Sequence, residues 1–208
     1  MRRLLIIGTG GHGKVVLDCA KKYYDSIGFL TNDTHSKNID GYPILFEQET
    51  SFDYVLQNFD ELIVAIGNNN ARLNISMDYK AKGIKLATII HEKAIVSENV
   101  IIGDGTVVLA NAVINPSAII GKCCIINTGA IIEHDCIIND GVHISPNAAM
   151  GGTVSIGKKT WVCVGSSIAN NINIGENSII GAGSVIIKDV PSKVLVAGVP
   201  AIIKKQYE

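Results

Sequence analysis

His134 and Asp135 stand side by side in the stretch NTGAIIEHDC, an imidazole followed at once by a carboxylate. Histidine titrates near neutrality, so it can take a proton from a reacting group and return it. A neighbouring carboxylate can orient the ring and stabilise its charged form. His143 follows nine residues later. Near the other end of the chain, Gly8-Thr9-Gly10-Gly11-His12-Gly13 comes directly after RLLII and before KVVLDCAKKYY. This is G-x-G-x-x-G between a strand and a helix, the setting the motif requires. Such a loop aims backbone N–H groups and a helix N-terminus at a phosphate or another anion. Each feature also has a plainer reading: His134 as a solvated corner residue, His143 as an interface residue, His12 as a polar loop residue.

The histidine pair lies inside a repeat. Residues 94 to 189 divide without a gap into sixteen hexads, from AIVSEN to SVIIKD, and fifteen of the sixteen third positions are Ile or Val, the other being Met150. A fixed short period with one aliphatic per repeat predicts a β-solenoid. Three hexads make one triangular coil, and 96 residues give a little over five coils. The third residue faces inward, as does the small first residue, for example Ala112, Ala130, Ser166 and Ser184. Gly103, Gly121, Gly157, Gly175 and Gly181 follow the aliphatic, where the backbone is expected to bend. His134 occupies a fifth position, at or near a corner. Half a coil separates it from His143, so the two belong on different sides of one prism.

Residues 1–91 read as a small doubly wound α/β domain and residues 92–208 as the solenoid with a C-terminal cap. Strands are predicted at 3–7, 26–30, 61–66 and 85–90, with helices after the glycine loop and over 71–83. HSKNIDGYPILFEQE (35–49) reads as an irregular connection. Thr31 and Asn32 fall about twenty positions after the glycine loop, where a nucleotide fold contacts a ribose. Ligands of such sheets bind at the carboxyl ends of the strands, which points to Gly10–His12, Thr31, Asn32 and Gly67.

Composition narrows the field. The net charge is −1, with no basic stripe to suggest nucleic acid. No run of about 18 uncharged apolar residues suggests a membrane span. The opening MRRLLIIGTGG reads as a strand entering its loop rather than as a signal segment. Five cysteines without ligand spacing predict reduced thiols, a cytoplasmic protein and no metal site. Cys124 and Cys136 take inward positions and read as core thiols; His91 reads as structural.

GTGGHG, the strand end AIGNNN, the IIH junction, NTGAIIEHDC and the closing AGVPA together resemble the NeuD/PglD-type sugar acyltransferases over nearly the whole chain. The resemblance implies a Rossmann-like domain followed by a left-handed parallel β-helix, a homotrimer, and acetyl-CoA as cosubstrate. It implies transfer of acetyl to a nucleotide-linked amino sugar, first the 4-amino group of a UDP-linked deoxysugar, in surface-glycan or glycoprotein sugar synthesis. O-acetylation of sialic acid is the alternative. It maps the general base onto His134 and its acidic partner, which raises its basicity, onto Asp135, where relatives often have Glu. Substrate contacts map onto Gly10, Gly11, His12, Thr31, Asn32 and Gly67. Acetyl-CoA contacts map onto His143, Gly152, Val164 and Ala182. The oxyanion donor is expected among the backbone N–H groups near Gly151-Gly152.

Two readings of other classes stand beside this one. An NAD-dependent oxidoreductase would use the glycine loop, but about 90 residues are short for two mononucleotide halves and no catalytic Tyr/Lys pair is evident. A silent β-solenoid scaffold would leave the His-Asp pair and the glycine loop without a purpose.

Overall fold

The structure, a computed structural model, describes residues 1–35 and 39–207. Ser36, Lys37 and Asn38, in the middle of the expected irregular connection, and Glu208 lie outside the described residues. The chain divides into two compact units, Met1–Ile89 and Ile90–Glu208.

The first unit is a five-stranded parallel sheet. It comprises β1 (Arg3–Ile7), β2 (Ser26–Thr31), β3 (Ile44–Phe46), β4 (Glu61–Val64) and β5 (Lys85–Leu86), in the order β3-β2-β1-β4-β5. Leu4, Leu5, Ile6 and Ile7 of the central strand are all buried, as continuous apolar runs in parallel sheets are. Three helices connect the strands: α1 (Gly11–Ala20), α2 (Phe52–Asn58) and α3 (Asn69–Ala81). The close passage of α1 over the loop depends on Gly13, where a Cβ would stand 2.2 Å from Gly8 O. Helix α3 starts two residues before the sequence suggests. Asn68 caps it by accepting from Ala71 N–H at 2.9 Å, a contact worth about 1 kcal/mol.

The stretch expected to be irregular contains β3, which extends the sheet beyond β2 with Phe29, Leu30 and Thr31 facing Ile44, Leu45 and Phe46. KLATII is not one strand but two: β5 completes the first sheet, and β6 (Ile89–Ile90) opens a face of the solenoid.

In the second unit each of the sixteen hexads contributes one two-residue strand at its second and third positions, from β7 (Ile95–Val96) to β22 (Val185–Ile186). Strands 18 residues apart pair in parallel and build three faces. The stacked third-position aliphatics form one core cluster, Ile114 to Ile132 to Met150 to Ile168 on one face and its equivalents on the others. Each fully buried aliphatic of this kind contributes about 1.5–3 kcal/mol. Cys124 and Cys136 are wholly buried in the cluster, and their thiols donate to Asn139 O and Gly151 O.

The bends are not at the expected glycines. None of Gly103, Gly121, Gly157, Gly175 and Gly181 has a positive φ. They are small because the next coil passes directly over them: a Cβ on Gly103 would lie 2.6 Å from Gly121 C, and one on Gly175 2.3 Å from Ser192 N. The turn is made at the sixth position, where fourteen of the sixteen hexads carry a positive φ, from Gly105 and Asn111 to Asn177 and Gly183. After the last hexad, β23 (Val194–Gly198) and β24 (Ala201–Gln206) form an antiparallel hairpin that continues one face and covers its open edge.

Candidate active site

His134 and Asp135 follow the strand Ile131–Ile132 and make the corner after it. Asp135 takes the left-handed turn conformation, φ 60°, which aspartate tolerates better than most residues. There its Oδ2 accepts from His134 Nδ1–H at 2.7 Å. The shorter acid therefore reaches the ring. With Nδ1 so engaged, Nε2 keeps the lone pair that can receive a proton. Both side chains are exposed.

One coil later on the same corner stands Gly152. A Cβ built there would meet the His134 ring, at 2.5 Å from Cε1 and 2.6 Å from Nε2. The imidazole therefore lies in the space that the missing side chain leaves. His134 O accepts from Thr153 N–H at 2.9 Å, which ties the two coils together beside the ring. Of the two candidate oxyanion donors, Gly151 N–H is already given to Ile168 O at 2.9 Å. Among the described residues, Gly152 N–H is the one of the pair that stays available.

His143 lies on another face, in a strand (His143–Ile144) that pairs with Trp161 in the next coil. The two rings are nearly parallel, 7° apart in plane, with centroids at 6.0 Å. Asn127 Nδ2 donates to His143 Nε2 at 3.1 Å, and Trp161 Nε1 donates to Ser145 Oγ at 2.8 Å. Val164 and Ala182 are exposed one coil apart on the corner that follows this face. Thus one chain brings together His134, Asp135 and Gly152, and separately His143 with Asn127 and Trp161. It does not bring His134 and His143 to one face. Asn127 and Trp161 escape sequence reasoning because their partner is 16 or 18 residues away, across the coil repeat.

In the first unit a cavity of about 580 Å³ opens where β1 and β2 end, lined among others by Gly8, Thr31, Asn32 and Ile66. It lies at the carboxyl ends of the strands, as the doubly wound fold requires. Gly10, Gly11, His12 and Gly67 are not among its lining residues. Side chains at Gly10, Gly11 or Gly67 would meet open space, so these positions present bare backbone. The Thr31 hydroxyl is engaged within the protein, accepting from Asp33 N–H at 3.1 Å, whereas Asn32 is exposed.

His12 sits in the first turn of α1. Its Nε2 is buried and has no hydrogen-bond partner among the described residues. Burial, and then the charge of Arg72, hold it neutral by lowering its pKa to about 4. Arg72, which sequence reasoning missed, is 1% exposed. Its guanidinium donates to Ile66 O, Gly67 O and Asn69 Oδ1, and so fixes the loop after β4. A lone arginine in an otherwise unremarkable helix carries no sequence signal of that task. Burial raises the thiols of Cys136 and Cys163, which leaves them poor nucleophiles. Among the described residues no group of three or more His, Cys, Asp or Glu could hold a metal ion. No described helix is long and apolar enough to cross a membrane.

A hexapeptide solenoid with a His-Asp pair at one corner, joined to a small nucleotide-type α/β unit, defines a hexapeptide-repeat acyltransferase. Residues 3–79 match the PglD N-terminal domain family. A histidine variant of perosamine N-acetyltransferase from Caulobacter crescentus, in complex with CoA and GDP-perosamine, superposes with a TM-score of 0.93 at 34% identity, over 98% of this chain and 97% of that one. The acetyltransferase domain of PglB from Neisseria gonorrhoeae, in complex with acetyl coenzyme A, gives 0.90 at 37% identity, over 97% and 98%. The galactoside O-acetyltransferase of Escherichia coli is 42% identical over 55 residues, 26% of each chain. The chain spans only about a quarter of the length of such curated relatives. The chain belongs to the PglD-type family of acetyl-CoA-dependent, hexapeptide-repeat sugar acetyltransferases, and its solenoid is their left-handed β-helix.

Proposed function

We propose that the protein transfers the acetyl group of acetyl-CoA to the amino group of a nucleotide-linked amino sugar. The observation that carries this reading is the His134 ring, held by Asp135 and seated over Gly152. The likeness to a perosamine N-acetyltransferase bound to CoA and GDP-perosamine supports it.

In the proposed reaction the amine lone pair attacks the thioester carbonyl carbon. His134 Nε2 takes the proton that the nitrogen sheds, and the Asp135 carboxylate stabilises the imidazolium. The backbone N–H of Gly152 faces the developing oxyanion. The C–S bond then breaks, and the thiolate leaves with the proton that His134 returns. His143, Gly152, Val164 and Ala182 hold acetyl-CoA. Gly10, Gly11, His12, Thr31, Asn32 and Gly67 hold the nucleotide-sugar, with backbone N–H groups of the glycine loop toward its phosphates.

The chain works as a homotrimer in which His134 of one subunit meets His143 of a neighbour. The separation of the two histidines on different faces of one prism supports this arrangement. The cytoplasm, where acetyl-CoA is made and thiols stay reduced, is its compartment; five cysteines with no disulfide among the described residues fit that setting.

The test is product identification. Incubation with acetyl-CoA and nucleotide-linked 4-amino sugars should give an amide, seen by NMR and resistant to hydroxylamine. A hydroxylamine-labile ester on sialic acid, with no amide formed, would move the protein to O-acetylation and overturn the reading.

A further inference from the structure

We propose that Glu47 selects the nucleobase of the substrate and that the base it selects is guanine. The inference rests on the reading above that the N-terminal unit holds a nucleotide-linked sugar. The cavity at the carboxyl ends of β1 and β2 has apolar walls, Ile7, Leu30, Ile66 and Ile75, suited to the faces of a flat ring. Its charged lining consists of Glu47 and Asp78, with no Lys or Arg among the described lining residues. Carboxylates repel a diphosphate, so this chamber suits the neutral base, and the phosphates belong toward the glycine loop.

The two acids are not equivalent. Asp78 Oδ2 accepts from Lys82 Nζ at 2.8 Å along the same helix. Glu47 follows β3, and its backbone N–H donates to Thr31 O at 3.0 Å, which fixes it beside the end of β2. Its charge is felt inside the cavity: the Tyr79 hydroxyl, another lining group, is pushed up by burial and next by the Glu47 carboxylate.

A carboxylate offers two acceptors side by side and no donor. Guanine matches it with N1–H and the N2 amine adjacent on one edge, so both bonds form and both are charge-assisted. Uracil and thymine present a single N3–H between two carbonyl oxygens, which would face the carboxylate oxygens. Adenine and cytosine present an amine beside a bare ring nitrogen. Each of these leaves an acceptor opposed to an acceptor, a costly arrangement away from water.

The experiment is calorimetric titration of the whole protein with GDP, UDP, dTDP, ADP and CDP. GDP should bind at least about tenfold more tightly than each of the others, the scale of one hydrogen bond to a charged group. Glu47→Gln replaces one acceptor by a donor, which would meet a uracil carbonyl instead of opposing it, and should cost about tenfold in GDP affinity while UDP binding improves. Glu47→Asp, which keeps the charge but draws it back, should fall between. Glu47 is exposed, and a matching thermal melt confirms that each variant is folded. UDP or dTDP binding as tightly as GDP, or wild-type GDP affinity in Glu47→Gln, would overturn the assignment and leave the acetyl-transfer reading standing. Absence of nucleotide binding altogether would overturn both. Failure of every nucleotide-linked amino sugar to be acetylated, with GDP still preferred, would strike that reading alone.

Discussion

The His134 imidazole and the α-carbon of Gly152 stand one coil apart on the same corner, and the ring fills the space a side chain at 152 would need. Gly152→Ala should therefore displace the ring and pull Nδ1 from Asp135. A misplacement of about 1 Å costs about 10²-fold in rate, so kcat should fall by that order. The ring is exposed, so the melting temperature should hardly move. Steady-state kinetics and a thermal melt measure both effects; a variant with unchanged kcat would show that the seating of the ring is immaterial.

Asp135 combines a charge with a left-handed backbone. Asn shares the tolerance for that conformation, so Asp135→Asn isolates the charge: kcat should drop about 10–10²-fold with stability preserved. Asp135→Glu should behave differently. Its charge is retained, but a longer side chain at φ 60° should cost about 1 kcal/mol of stability. Denaturant titration and kcat, measured on both variants, separate the two contributions.

Faces matter as much as residues. If active sites are shared between subunits, His134→Ala and His143→Ala chains, each impaired alone, should regain activity when co-assembled, because some interfaces then carry both histidines. Full mixing, verified by mass spectrometry of intact complexes, without recovery would count against sharing.

His12 gives the protein an acid-sensitive element. Its pKa is lowered to about 4 in the folded chain from the ordinary 6.5, by burial first and Arg72 second. Between these values the unfolded chain binds a proton that the folded chain does not. Stability is thus unaffected above about pH 6.5 and falls as pH drops toward about 4, by about 3 kcal/mol for this group at 1.36 kcal/mol per pKa unit. His12→Asn should flatten that part of the stability curve. Chemical denaturation from pH 7 to 4 measures it, and identical slopes in the two proteins would refute the assignment.

Much of this architecture was legible because solenoids repeat their reasons. One aliphatic every six residues is enough to place Ile95–Val96 through Val185–Ile186, and every hexad holds its strand where the pattern puts it. The reason for the glycines was not legible. Gly103 and Gly175 are small because a neighbouring coil crosses them, and a neighbour 17 or 18 residues away leaves no local mark. The same holds for Asn127 and Trp161 around His143. In the first unit, β3 was hidden by its length: Ile44–Phe46 is too short to show a period and is stabilised by β2 rather than by its own propensity. Arg72 and Glu47 are single charged residues whose tasks arise only when the strands bring loops together.

The central claim, that His134 is the proton acceptor of an acetyl transfer, is tested most directly by the release of CoA thiol from acetyl-CoA. Wild-type protein and His134→Ala are compared on one nucleotide-linked amino sugar, with acetyl-CoA affinity measured separately. The account predicts a fall in kcat of about 10²–10⁴-fold with acetyl-CoA binding nearly intact. Turnover by His134→Ala at the wild-type rate would contradict it.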